Sequence, residues 1–243
     1  MQNINRMKKI TTIILINLAI LITTPLFSQV KVDSSFQKSV DWSLNHYYRL
    51  FQVSSQLNDL ESAKNALLNL MIEIPQNDSI LFQLGTIYYQ MQNYTSAAIC
   101  TQQVINRNPN HVAALEINAI SYENIGINDK AVESYEKLYL KTENFESIYK
   151  LIILQYDLER YNECLANIEI MLGRTEVEEY TMPVLVEGNK QKDYPIKVFI
   201  LNLKGMIKKE QGDLAAAKSI FEAVLKVAPD FIAAKENLQS VSK

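Results

Sequence analysis

The sequence predicts an all-α chain of stacked helix pairs, and three observations carry that reading. The 243 residues include only 6 Gly and 6 Pro, too few for a loop-rich β protein, while 48% are hydrophobic and 21% charged, a globular balance. Ala63, Ala97 and Ala131 are spaced by 34 and 34 residues, and Pro75 and Pro109 also lie 34 apart. Apolar residues recur at helical spacing around each of these markers, as in Leu60, Ala63, Leu67 and Leu70.

Residues 1–28 read as a secretory leader. Arg6, Lys8 and Lys9 precede the apolar run ITTIILINLAILI at 10–22, and TTPLFSQV follows. The core is short for a span, which needs about 20 residues. Cleavage is expected after Ser28, and retention as an N-terminal anchor stays open. No Cys lies near the cut, so no lipid anchor is expected. Loss of three basic residues and no acid takes the formal charge from −3 to −6. An acidic chain without a basic run argues against nucleic acid and anionic membrane surfaces as partners, and no membrane insertion is expected after cleavage.

Residues 29–174 hold an N-terminal extension and four repeats. In the extension, Phe36, Val40 and Trp42 predict a helix from Ser34 or Ser35 that runs into the first repeat. Repeat one reads Tyr47-x2-Leu50, Ala63-x3-Leu67, Pro75. Repeat two reads Leu81-x2-Leu84-Gly85-x2-Tyr88, Ala97, Pro109. Repeat three reads Leu115, Ala119, Tyr122, Ala131-x3-Tyr135. Repeat four is weakest: Ile148-x2-Leu151, Tyr161, Cys164-x3-Ile168. Residues 175–197 interrupt the series. Alternation at Met182, Val184 and Val186, with the turn signal GNKQKD, predicts a hairpin of ~181–187 with ~193–198, Pro183 and Pro195 confining it to edges. It serves either as packing for a misfit or as an edge that a partner strand extends. Residues 198–243 hold repeat five (Leu201-x3-Gly205, Gly212-Asp213, Ala217-x3-Phe221, Pro229) and a capping helix whose stripe is Phe231, Ala234, Leu238 and Val241.

These motifs closely resemble the tetratricopeptide repeat (TPR) family, whose pattern is W-x2-L-G-x2-Y, then A-x3-F, then P. The resemblance implies a right-handed α-solenoid of about five helix-turn-helix repeats, each a helix A and a helix B. Small pairs should meet at the A/B crossings: Gly85 with Ala97, Ala119 with Ala131, Gly205 with Ala217. The corresponding pairs in repeats one and four are Phe51 with Ala63 and Ile152 with Cys164. Polar turns such as QMQNYTS, IGINDKA and KEQGDLA join A to B, and the Pro residues stop B. Cys164 then occupies a small buried contact position. Cys100 lies two repeats earlier, well beyond the Cα separation of about 7 Å that a disulfide tolerates. Two free thiols are expected.

No catalytic constellation is present. His46 and His111 are the two histidines, and neither has ligands at metal spacing. GxSxG, P-loop and GxGxxG motifs are missing. Glu178 and Glu179 are adjacent loop acids, and such spacing does not make an acid/base pair. The expectation is a chain that is not an enzyme and has no cofactor or metal. An active site in the hairpin is the enzymatic alternative, weakened by the lack of a nucleophile–base pair.

The resemblance further implies that one stripe of each A helix lines an inner, concave surface. Here that stripe is Tyr48, Gln52 and Ser55; Phe82, Thr86 and Tyr89; Glu116, Ile120 and Glu123; Tyr149, Ile153 and Tyr156; Asn202, Met206 and Lys209. Aromatic and polar groups alternate, which suits an extended peptide or short helix. Repeats one to four place no Lys or Arg on it, which argues against a clamp for a terminal carboxylate. The tyrosines serve either a partner or the adjacent repeat. The leading expectation is a periplasmic protein-interaction scaffold or adaptor with a peptide or protein partner, a homo-oligomer being left open. The alternative is a cell-wall glycan-binding module, which would show coplanar exposed rings beside amides.

Overall fold

The computed structural model describes residues 34–186 and 190–242. The expected leader and residues 187–189 of the hairpin turn lie outside the described residues. Two compact bodies are distinguished, residues 1–45 and 46–243. The described part of the first is the start of helix α1 (Ser34–Gln56), where the Ser43 hydroxyl donates to the Val40 carbonyl at 3.1 Å.

From α1 onward the helices alternate A and B: α2 (Leu60–Glu73), α3 (Asp78–Gln90), α4 (Tyr94–Arg107), α5 (Val112–Asn124), α6 (Asn128–Thr142), α7 (Phe145–Asp157) and α8 (Tyr161–Leu172). The short α9 (Glu176–Glu179) leads into β1 (Thr181–Val186) and β2 (Lys190–Pro195), and α10 (Ile196–Glu210), α11 (Leu214–Val227) and α12 (Ile232–Ser240) complete the chain. From α2 onward the packing is mainly between sequence neighbours, with α10 also reaching back to α8. The expected five pairs, hairpin and cap are therefore all present. Among the described residues no helix is long and apolar enough to cross a membrane.

The A-to-B turns share one backbone solution. Asn58, Gln92, Gly126, Glu159 and Gly212, each at the same place in its repeat, adopt φ of +56°, +58°, +74°, +56° and +80°. The left-handed residue reverses the chain, and the next residue starts helix B. Where that residue is Asp59, Asn93 or Asp213, its side chain accepts from a backbone amide in the first turn of B. Ile127 and Arg160 hold the same place in repeats three and four and form no such cap. Helices end just before Pro75, Pro109 and Pro229, as predicted.

The A/B crossings differ in detail from the expectation. Ala63, Ala97, Ala119, Ala131, Cys164 and Ala217 are fully buried. The atoms nearest a Cβ placed on Gly85, however, are Thr101 Cγ2 at 3.0 Å and Cys100 Cβ at 3.2 Å, not Ala97. On Gly205 the nearest is Phe221 Cε1 at 2.4 Å, not Ala217. Helical side chains lean toward the N-terminus, so the residue covering a given spot sits further along B than a flat projection suggests. Repeat four agrees with the expectation, since the Cys164 thiol donates to the Ile152 carbonyl at 3.2 Å.

Both cysteines are free and buried. Burial pushes the Cys100 thiol up to about 11 and the Cys164 thiol up to about 12.

The hairpin's second strand lies about three residues earlier than expected. Met182 pairs with Tyr194 and Val184 with Lys192, and the strand ends at Pro195. Proline's fixed φ suits the residue before a helix, and α10 starts at Ile196. Met182 packs on the core of repeats four and five, formed by Ile148, Ile152, Ile168, Met171, Val177, Ile196, Ile200 and Ile207. Val184 packs on a second core of Tyr194, Val198, Val224, Ala228, Phe231 and Ala234. In the cap, Phe231 and Ala234 are buried and Leu238 and Val241 half-buried, the predicted stripe.

Candidate functional site: the A-helix stripe

The stripe residues fall into three environments. In α1, Tyr48 is 51% exposed and Gln52 is exposed. In α3, Phe82, Thr86 and Tyr89 are half-buried. The Phe82 ring lies 4.4 Å from the His111 ring, and His111 Nδ1 in turn accepts from the Ala114 amide at 3.2 Å to cap α5. Tyr89 meets Tyr94 edge-on at 5.9 Å. The Thr86 hydroxyl donates within its own helix, to Phe82 O at 3.0 Å.

In α5, Glu116 is exposed, whereas Ile120 and Glu123 are half-buried. Glu123 is held on both sides: the Tyr135 hydroxyl donates to it at 2.6 Å and Lys150 Nζ at 2.7 Å. Burial, then the Glu123 carboxylate, hold the Tyr135 phenol well above its usual range. Lys150 is one position outside the stripe on α7, so sequence reasoning missed it. It places a cation beside the inner residues of repeat three and neutralises the acid there. Glu116 and Ile120 line a cleft of about 120 Å³ between α5, α6 and α7, with Leu138, Asn144 and Glu146.

In repeat four, Tyr149 and Tyr156 pack against the core shared with repeat five, and burial raises both phenols. The Tyr149 hydroxyl points at Met182 Sδ at 3.5 Å, which ties the stripe to the hairpin. Ile153 is half-buried. Tyr149 also lines a cleft of about 320 Å³ with Phe145, Glu146, Tyr180 and Ile196. Phe145 and Tyr180 stack there at 5.1 Å with a 20° tilt, and the Arg174 guanidinium lies 5.6 Å from the Phe145 centroid.

In repeat five, Asn202 is buried and already engaged: its Oδ1 accepts from Asn237 Nδ2 of the cap at 3.1 Å, and its Nδ2 faces the sulfur of half-buried Met206 at 3.5 Å. It lines a cavity of about 490 Å³ between the hairpin, α10 and α12. The structure thus brings Glu116, Ile120, Tyr149 and Asn202 to three clefts in successive repeats. Tyr48, Gln52, Phe82, Thr86, Tyr89, Glu123, Ile153, Tyr156 and Met206 line none of these three.

A buried polar hub went unread in the sequence. Asn118 on α5 is fully buried and donates to Ala98 O and Thr101 Oγ1, both at 3.1 Å, while Ser134 Oγ donates to its Oδ1 at 2.7 Å. It bridges the B helices of repeats two and three. The sequence signal is an Asn in the slot that Leu84 fills one repeat earlier.

A tetratricopeptide repeat family profile matches residues 200–231, and a second matches residues 79–111. No curated protein matches in sequence. Among solved structures, a crystal structure of MamA is 13% identical, with 83% of this chain and 96% of that one covered and a TM-score of 0.53. MamA from Desulfovibrio magneticus RS-1 is 14% identical over 78% of this chain and 97% of that one, TM-score 0.52. YrrB, described as a TPR protein with an unusual peptide-binding site, is 16% identical over 74% and 83%, TM-score 0.50. The chain thus carries tetratricopeptide repeats at residues 79–111 and 200–231, set within tandem helix pairs that share the fold of these structures.

Proposed function

We propose that the protein is a non-catalytic interaction scaffold of the cell envelope that holds a peptide or protein segment along its A-helix stripe. The observation that carries the reading is the run of clefts in repeats three, four and five, each lined by a stripe residue and by apolar and polar groups together. Such surfaces give apolar anchors for affinity and polar groups for register. The description of YrrB as a peptide-binding TPR protein supports the same use of the fold. The envelope address rests on the basic start and apolar run of residues 1–22. The glycan alternative has less support. Tyr89–Tyr94 and Tyr156–Tyr161 meet at 65° and 48°, not as coplanar platforms, and the near-parallel Phe145–Tyr180 pair stacks ring on ring at 5.1 Å, so each ring covers a face of the other.

The test is capture of the partner by crosslinking in cells, then measurement of its affinity for the Phe82→Ala/Tyr89→Ala/Tyr149→Ala variant. Weakened binding with unchanged helicity is expected; an unchanged affinity would remove the stripe from the account. Recovery of a cytosolic protein with residues 1–28 intact would remove the envelope address.

A further inference from the structure

The cavity between the hairpin, α10 and α12 has a chemistry that the stripe does not explain. Tyr194 and Phe199 both meet Phe231 edge-on, at 5.3 Å in each case. Asp230 and Glu236 add two carboxylates to this aromatic wall. Tyr194 is 2% exposed, and although Asp230 and Lys192 lie beside its hydroxyl, neither makes a hydrogen bond of good geometry with it. A buried hydroxyl left unpaired is unfavourable and marks a place where a ligand group can bond. The site also already holds a cation of its own. Lys192 Nζ from β2 sits 4.9 Å from the Tyr194 ring centroid and bonds Asp230 at 2.5 Å.

We propose that this cavity receives a basic side chain, arginine in particular, from the bound protein segment, and that Lys192 is the resident cation it displaces. The inference rests on the reading of the chain as a segment-binding scaffold. A guanidinium is planar, stacks on aromatic faces and carries five donors in a fork. It can engage Asp230 while donating to the unpaired Tyr194 oxygen, which the single ammonium of Lys192 leaves without a partner. An anion would meet two carboxylates. A purely apolar group would separate Asp230 from Lys192 and offer nothing to Tyr194. The Lys192–Asp230 pair is about half-exposed on both sides, the kind of ion pair that is weak and readily exchanged.

The experiment is an NMR titration of the nitrogen-15-labelled protein with acetyl-arginine amide, using acetyl-citrulline amide as the neutral near-isostere. The arginine compound is expected to shift the amide signals of Tyr194, Asn202 and Phe231, and citrulline to leave them in place. Lys192→Gln removes the competitor and tightens arginine binding about two- to fivefold, while Asp230→Asn abolishes it. Lys192 is exposed, so its replacement leaves the fold intact, and a merely structural lysine would not give tighter binding on removal. Equal shifts with citrulline, no shifts at all, or unchanged or weaker binding in Lys192→Gln would each overturn the proposal. The Phe82→Ala/Tyr89→Ala/Tyr149→Ala variant should bind arginine amide as the parent does. If that variant loses its captured partner while the parent shows no arginine response, the stripe reading stands and this one falls.

Discussion

Replacing Gly205 by Ala tests how tightly repeat five is closed. The added Cβ would lie 2.4 Å from Phe221 Cε1, with Cδ1 at 2.8 Å and Cζ at 2.9 Å. Carbon atoms attract best at about 3.5–4.0 Å, so the methyl falls roughly 1 Å inside contact. Phe221 is fully buried and cannot swing into solvent, so α10 and α11 must separate. Overpacking of this kind costs about 1–3 kcal/mol, against which Ala gains about 1 kcal/mol over Gly in a helix interior. The clash lies at the severe end of that range, so a net loss of about 1–2 kcal/mol is expected. Gly85→Ala is the control: its Cβ meets Thr101 Cγ2 at 3.0 Å, a displacement of tenths of an ångström, and the helix gain should nearly cancel it. Urea unfolding followed by circular dichroism at 222 nm reads both. Phe221→Leu should cost about 1–2 kcal/mol less in the Gly205→Ala background than in the parent, a coupling accessible to a double-mutant cycle. A Gly205→Ala protein as stable as the parent, or a Phe221→Leu cost identical in both backgrounds, would refute the close crossing.

Three further outcomes follow from the packing and caps. Asn118→Leu restores the apolar pattern of the repeat but strands Ser134 Oγ and takes a donor from Thr101 Oγ1, so it should cost about 1–3 kcal/mol and lower Tm by several degrees, with Ser134→Ala recovering part of the loss; a more stable Asn118→Leu protein would contradict the hub. Ile127→Asn supplies the cap that α6 lacks at a residue 46% exposed, and should raise stability by about 1 kcal/mol in the same urea assay, a loss being the contrary result. Thiol titration with a chromogenic disulfide at pH 8 should find both cysteines nearly inert in the native protein, because burial raises both thiols to about 11 and about 12, and two reactive thiols after unfolding without reductant; fewer than two would reveal a disulfide.

The 34-residue spacing made the helix pairs legible, because every repeat must bury the same positions to stack. Local signals located the ends: polar turns such as QMQNYTS and KEQGDLA between A and B, and Pro109 and Pro229 as stops. The left-handed turn residue could be read at Gly126 and Gly212 but not at Gln92 or Glu159, where stacking holds a side-chain-bearing residue in the same conformation. What escaped reading lies between repeats. Asn118 takes the slot that Leu84 fills one repeat earlier and is a polar bridge between B helices. Lys150 reaches back one repeat to Glu123, and Asn202 is claimed by Asn237 of the cap, contacts with no periodic signature. The cover of Gly85 depends on the lean of Thr101 rather than on the Ala spacing. The hairpin start was readable from alternation, but the end of its second strand is set by Pro195, the last residue of β2 and the one before α10.

The A-helix stripe is the surface proposed to hold the partner. Photo-crosslinking in cells tests it most directly, with a light-activated phenylalanine analogue placed at Tyr89 in one strain and at Leu140, which is 81% exposed on helix B of repeat three, in another. A discrete adduct is expected from position 89 and none from position 140. Adducts from 140 with none from 89 would contradict it.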